Sequence, residues 1–301
     1  MKDKENLLNN LDEKKLVNSF YDACSDKEFR KYLDSLKIED EILMKYTSSL
    51  EDSFNEYKNC LNCKNLSACE NAVSGYLLTP EKSTNSITFS YNACPKELKR
   101  LEKESYKKNI ELYEMPIEIQ NATFKNMYKD DKARIPIVKY FKEFMEKYYK
   151  GENPKGIYLN GSFGSGKTYL IASLFNEMAK KNVKSVLIYY PEFLRSLKAS
   201  FNNDYDERFN YTKKAPLLLL DDIGAENCSN WSRDEILGPI LQYRMENHLP
   251  TFFTSNLTLT ELEKSLSITT SGVDKVKARR IIERIKQLTT NIELISENRR
   301  D

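Results

Sequence analysis

Glycine and proline are scarce in this chain of 301 residues, with nine of each. Together with 40% apolar and 31% charged residues, that scarcity excludes a collagenous, low-complexity or compositionally disordered polymer. No apolar run approaches the roughly 18 residues that a membrane span requires. The longest are short clusters such as Val186 to Tyr190 and Leu217 to Leu220. The opening Met-Lys-Asp-Lys-Glu-Asn leads into mixed charge without the apolar core of a secretory signal, so a cytoplasmic protein with no membrane partner is expected. Histidine is nearly absent, and the single His248, ahead of Leu249-Pro250, reads as a helix-end or turn residue and not as a catalytic base.

The length suggests about two domains. Charge is uneven: residues 1 to 115 hold 18 Lys and Arg against 21 Asp and Glu, and the remainder holds 29 against 24. Residues 1 to 58 show helical spacing, as in Phe29, Leu33 and Leu36. From Asn59 to Pro95 cysteines, Asn and Ser dominate, with Gly75 and Pro80 as breakers and one strand-like stretch, Ser86 to Ser90. A charged helical connector is predicted over Lys96 to Glu114. The expected organisation is a helical, cysteine-rich module over 1–115, a linker over 116–135, and a second domain over 136–301. In that domain five predicted strands (156–160, 185–190, 217–223, 251–256, 291–296) alternate with helices at about 166–181, 191–200, 232–247 and 274–289. This alternation predicts an α/β doubly wound parallel sheet with ligand at the carboxyl ends of the strands.

Gly161-Ser162-Phe163-Gly164-Ser165-Gly166-Lys167-Thr168 follows a predicted strand, opens a predicted helix and fits G-x-x-x-x-G-K-[ST]. Glycines let successive N–H groups face a phosphate, and the helix offers its positive end to the same anion. Lys167 is expected to neutralise the β- and γ-phosphates and Thr168 to hold Mg²⁺. Leu217 to Leu220 form a buried strand that delivers Asp221 and Asp222 beside the loop: Asp221 for Mg²⁺, Asp222 to orient or deprotonate the attacking water. Asn256 ends a further apolar strand, either as a turn or cap residue or as a sensor of the γ-phosphate and water. The succession of phosphate loop, acidic strand and polar strand is the layout of AAA+ ATPases, with ATP as the nucleotide. The segment Lys275 to Lys286 predicts an amphipathic helix whose apolar face is Val276, Ile281, Ile282 and Ile285. Its basic face reads as solvated charge, or as a source of an arginine finger, Arg280 or Arg279, for a neighbouring subunit in a self-associated form. After the last predicted strand only Glu297 to Asp301 remain, with no room for a helical lid.

Cys60-x-x-Cys63 presents two thiolates to one tetrahedral ion, with Cys69 and Cys94 available to complete a structural Zn²⁺ site. Cys24 and Cys228 have no evident partners. Tyr190, Phe193, Arg195 and Lys198 combine aromatic and basic groups, a candidate surface for single-stranded DNA or, alternatively, an aromatic core with a solvated basic face.

Gly161 to Thr168, Leu219 to Glu226, Trp231 to Met245, Pro250 to Asn256 and Lys277 to Arg284 resemble the DnaI/DnaC-type family of bacterial primosomal helicase loaders. The resemblance covers the second domain nearly throughout and the cysteine module less tightly. It implies an ATPase that binds the replicative hexameric DNA helicase and helps place it on single-stranded DNA among other primosome proteins. It also implies that the first part carries the helicase-binding and zinc functions. The family's module uses a His ligand, whereas no His precedes His248 here; Cys69 takes that place in the expected set. A transposition-helper ATPase would share the second domain but not the cysteine module, and an adaptor using ATP only as a switch would share both. No Leu-Ser-Gly-Gly-Gln signature of transporter ATPases occurs.

Overall fold

The computed structural model describes residues 14–126, 132–199, 204–270 and 272–298. The helical reading of 1–13, the stretch 127–131 of the expected linker, the end of the helix expected to reach residue 200, and 299–301 lie outside the described residues. The chain divides into two compact units, Met1–Ser105 and Tyr106–Asp301.

In the first unit, helix Lys27–Leu36 starts where the Asp26 carboxylate accepts the Glu28 and Phe29 N–H groups, and stops at Lys37 with φ 57°. Its Phe29 and Leu33 join Phe20, Leu43, Leu50, Phe54 and Ile87 in one apolar cluster. Helix Thr47–Asn62 turns Glu56 inward, and the carboxylate accepts N–H bonds from Ala72 (3.1 Å) and Leu78 (2.7 Å). Ser53 on the same helix donates to the Leu78 carbonyl at 2.6 Å. These bonds tie the helix to an antiparallel hairpin, β1 (Tyr76–Lys82) and β2 (Ile87–Ala93). Only the second strand is foreshadowed in the sequence, because Pro80 reads as a breaker. In a two-stranded ribbon both strands are edges, where proline is tolerated.

The second unit is built on a six-stranded, wholly parallel sheet. Its strands are β3 (Ile110–Tyr113), β4 (Gly156–Gly161), β5 (Ser185–Tyr189), β6 (Leu217–Asp221), β7 (Thr251–Ser255) and, after a two-residue hairpin of β8 (Ile268–Thr269) and β9 (Gly272–Val273), β10 (Thr289–Leu294). The order across the sheet is β10-β4-β7-β6-β5-β3. Alternate side chains feed two cores, one per face. Leu218, Leu220, Ile188 and Phe253 meet helices Tyr190–Ala199, Gly238–Glu246 and Lys275–Leu288, while Leu217, Leu219, Leu187 and Phe252 meet helices Ile135–Tyr149 and Lys167–Ala179. Each of the four leucines of β6 is fully buried, worth about 1.5–3 kcal/mol apiece, which outweighs the ~1–2 kcal/mol of backbone entropy lost per residue. The expected doubly wound sheet is therefore present, with five of its six strands within two residues of the expected positions.

Helices Ile135–Tyr149, Tyr205–Lys214 and Leu259–Ser267 add to the expected elements, and two expected elements change. The charged connector does not run to Glu114: its helix covers Pro95–Glu104, and Ile110–Tyr113 pairs with β5 as an edge strand. Ile119 and Phe124 then pack on the sheet's core around buried Ala122, so much of the expected linker belongs to the second unit. Four strand residues are too few to show a period, and pairing with Ser185 is a long-range event. The helix expected over 232–247 opens as a π-helix, Trp231–Leu237. The Gly238 N–H reaches back five residues to the Arg233 carbonyl, and Pro239 has no N–H with which to restore the α pattern.

Candidate nucleotide site

The loop from Gly161 to Gly166 joins β4 to helix Lys167–Ala179. Gly164 (φ 70°) and Gly166 (φ 83°) turn it back on itself. A Cβ on Gly161 would stand 1.9 Å from the Leu294 carbonyl oxygen of β10, so only glycine allows that approach. Ser165 is buried and donates to the Ser162 carbonyl at 2.8 Å, while Ser162 and Phe163 lie exposed at the loop tip. The buried Lys167 ammonium donates to the carbonyls of Gly161 (3.0 Å) and Ser162 (2.8 Å) and to Asn256 Oδ1 (2.8 Å).

Asp221 ends β6 with its carboxylate buried. Its Oδ1 accepts two hydroxyls at 2.6 Å, Thr168 Oγ1 and Thr254 Oγ1. Burial pushes this carboxyl up to about 6; the two hydroxyls pull the other way, and the adjacent charge of Asp222 adds to the rise. Asp222 itself has φ 56°, a costly conformation for a non-glycine residue. Its N–H donates to Thr254 Oγ1 at 2.8 Å, and its Oδ1 accepts Asn256 Nδ2 at 3.0 Å. Asn256 thus bridges Lys167 and Asp222, carbonyl toward the ammonium and amide toward the carboxylate. A buried carboxylate beside two hydroxyls suits a hard divalent cation, and a glycine loop with a buried lysine suits phosphate oxygens. The residues present therefore fit Mg²⁺ and a nucleoside polyphosphate.

Lys167, Thr168, Asp221, Asp222 and Asn256 come together as expected. Two residues of the site were not anticipated. Thr254 could have been found as a polar residue inside the apolar run of β7. Arg134, whose guanidinium donates to the Ser165 carbonyl at 2.7 Å, had no signal at all in a stretch expected to be linker.

Arg279 and Arg280 are exposed on helix Lys275–Leu288, whose inward face is Ala278, Ile281, Ile282, Ile285 and Leu288. Val276, expected on that face, is 65% exposed. The DNA candidates require a correction. Tyr190 and Phe193 are 1% and 0% exposed, and the Tyr190 hydroxyl donates to the Ser232 carbonyl, so neither ring can stack on a base. Their apolar rings complete the core, and only Arg195, paired with Glu192 at 2.7 Å, and Lys198 reach the surface. His248 sits in the turn after helix Gly238–Glu246 with φ 50°.

Cys60 lies in the last turn of helix Thr47–Asn62, Cys63 follows it, Cys69 follows a short 3-10 turn, and Cys94 caps helix Pro95–Glu104. All four are half-buried. Burial raises the Cys60 thiol, Asn71 Nδ2 donates to it at 3.3 Å, and Cys69, Cys94 and Cys63 lie close enough for their charges to raise it further. The Gly75 N–H donates to Cys69 Sγ at 3.3 Å and lowers that thiol. Among the described residues no three Cys, His, Asp or Glu side chains converge to metal-holding geometry. Thiols are a donor type that zinc takes, while the sulfurs as placed do not close on one point.

A phosphate loop, an acid pair and a bridging Asn just past the strand between them, at the carboxyl end of a parallel sheet, define a P-loop nucleotide-binding protein of AAA+ type. No family model matches the chain. Over 265 residues it is 35% identical to the replicative helicase loader DnaI of Bacillus subtilis strain 168, a match that spans 87% of this chain and 85% of that one. The crystal structure of DnaI superposes with TM-score 0.56 at 44% identity, covering 65% of this chain and 99% of its own. The DnaC helicase loader superposes with TM-score 0.50 at 22% identity, over 60% and 99%, a likeness of fold. The chain belongs to the DnaI/DnaC family of replicative helicase loaders. No helix among its described residues is long and apolar enough to cross a membrane.

The raised Asp221 carboxyl carries a stability signature. Its folded state favours the proton more than the unfolded chain does, so its contribution is present at low pH and is lost as pH climbs from the ordinary Asp range through about 6. Asp221→Asn is therefore expected to melt above the parent protein at pH 8 without nucleotide, with the gap narrowing at pH 4. Thermal melts at the two pH values check this, and a lower melting point at pH 8 would contradict it.

Proposed function

We propose that this protein is an ATP-dependent loader of the replicative hexameric DNA helicase onto single-stranded DNA during primosome assembly, with the second unit as its ATPase. The observation that carries the reading is the joined network of Lys167, Thr168, Asp221, Asp222 and Asn256 in a chain that matches a helicase loader over most of its length. In this reading Lys167 exchanges its loop carbonyls for phosphate oxygens. Thr168 and Asp221 would hold Mg²⁺, which would supply positive charge against the polyphosphate. Asp222 takes up or steers the proton of the attacking water, and Asn256, bonded to both Lys167 and Asp222, transmits whether a γ-phosphate is present. An intact Asp222 favours turnover over a switch-only adaptor.

The first unit, in the same reading, binds the helicase and holds one zinc ion through Cys60, Cys63, Cys69 and Cys94. Support comes from the C-x-x-C spacing and from the nearness of Cys63, Cys69 and Cys94 to Cys60. Arg195 and Lys198 remain as candidate phosphate contacts for DNA without the aromatic partners. Arg280, with Arg279 as alternative, is the candidate finger reaching the nucleotide of a neighbouring subunit in a head-to-tail assembly.

Lys167→Ala is expected to abolish ATP-dependent helicase loading while the variant still co-purifies with the helicase, since nucleotide use and helicase binding lie in different units. Simultaneous loss of helicase binding and ATP binding would contradict that division. Arg280→Ala and Arg279→Ala, assayed separately, should keep ATP binding, and one of them should lose turnover stimulated by helicase or DNA by about 10³-fold or more. Unchanged stimulation in both would leave these arginines as surface charge. Metal analysis of gently purified protein is expected to find about one zinc per chain, released with loss of helical signal in Cys60→Ser or Cys94→Ser. Metal-free protein that is fully folded would refute the zinc assignment.

A further inference from the structure

Arg134 stands just before helix Ile135–Tyr149, whose Ile137, Phe141 and Phe144 are buried, and is itself only 4% exposed. Its Nη2 donates to the Ser165 carbonyl at 2.7 Å. The same nitrogen lies 3.3 Å from the point where a Cβ on Gly166 would be, so the guanidinium sits directly against a position that carries no side chain. A planar trans peptide sets its carbonyl and the following N–H in opposite directions. Holding the Ser165 carbonyl toward Arg134 therefore aims the Gly166 N–H away from it, across the loop. The Ser165–Gly166 peptide is free to turn over, because Gly166 has φ 83° and no Cβ to resist the flip.

We infer that Arg134 is a positioning residue for the phosphate loop, locking the Ser165–Gly166 peptide in the orientation that presents the Gly166 N–H to the phosphates of a nucleoside triphosphate. The inference rests on the reading of this loop as the nucleotide site. A rigid guanidinium fork suits this role, because its planar donors are fixed relative to a well-packed helix, whereas a lysine would bring one rotatable point charge. Arg134 also precedes the helix that covers one face of the sheet, so the loop's conformation is set from outside the G-x-x-x-x-G-K-T motif.

Equilibrium binding of Mg·ATP and turnover at saturating ATP, measured on the full chain, test this with Arg134→Met, Arg134→Lys and Lys167→Ala. Loss of a hydrogen bond to a charged donor should weaken Mg·ATP binding about tenfold or more in Arg134→Met. Arg134→Lys should fall between it and the parent, weaker by about threefold. Turnover at saturation should fall less than about threefold in both, since Lys167, Asp222 and Asn256 keep their own bonds. Parent-like affinity in both folded variants overturns the proposal, as does parent-like affinity in Arg134→Lys alone should Arg134→Met not fold. Parent and Lys167→Ala binding Mg·ATP equally would instead overturn the nucleotide-site reading, and this inference with it.

Discussion

The Asp221 carboxylate receives hydroxyl hydrogen bonds from Thr168, at the start of the loop helix behind β4, and from Thr254 on β7. Three chain segments that are far apart in sequence are thereby fastened at one buried oxygen. The rest of the site depends on it. Thr254 also takes the Asp222 N–H, which holds Asp222 in its left-handed turn, and from there the chain of bonds runs through Asn256 to Lys167. A carboxylate in such a place is costly when ionised, which is why burial lifts it to about 6. The cost is accepted where a cation would relieve it, so the strain and the expected chemistry have one origin.

The first unit is held in a comparable way by Glu56, a buried carboxylate that binds two backbone N–H groups and draws helix Thr47–Asn62 against the hairpin. Its apolar core is small, so polar ties of this kind bear more of the organisation than in the second unit. Membership of the helicase-loader family extends across most of the chain, whereas the superposed DnaI structure covers 65% of it, the share that a sheet domain alone would supply.

Much of the nucleotide site was legible in the sequence because its signals are local. The eight residues from Gly161 to Thr168 are contiguous, and four leucines ahead of Asp221 announce a buried strand with acids at its end. What was misjudged needed long-range information. Tyr190 and Phe193 read as core or, as candidates only, as surface aromatics, and the packing around them shows that they are core. The strand Ile110–Tyr113 acquires its identity by pairing with β5, and Arg134 acquires its role by meeting a carbonyl 31 residues further along the chain.

The sequence by itself determined the class of fold, the phosphate loop, the acid pair and the order in which they occur, because hydrophobic period and motif spacing are properties of neighbouring residues. The insertion of β7 between β4 and β6 was decided only in the tertiary structure. That placement sets Thr254 beside Asp221 and Asn256 between Lys167 and Asp222, turning a polar strand end of ambiguous meaning into the bridge of the site. Strand order in a parallel sheet is fixed by how the crossover helices cover both faces at once, a balance of contacts across the whole domain that no local stretch of sequence records.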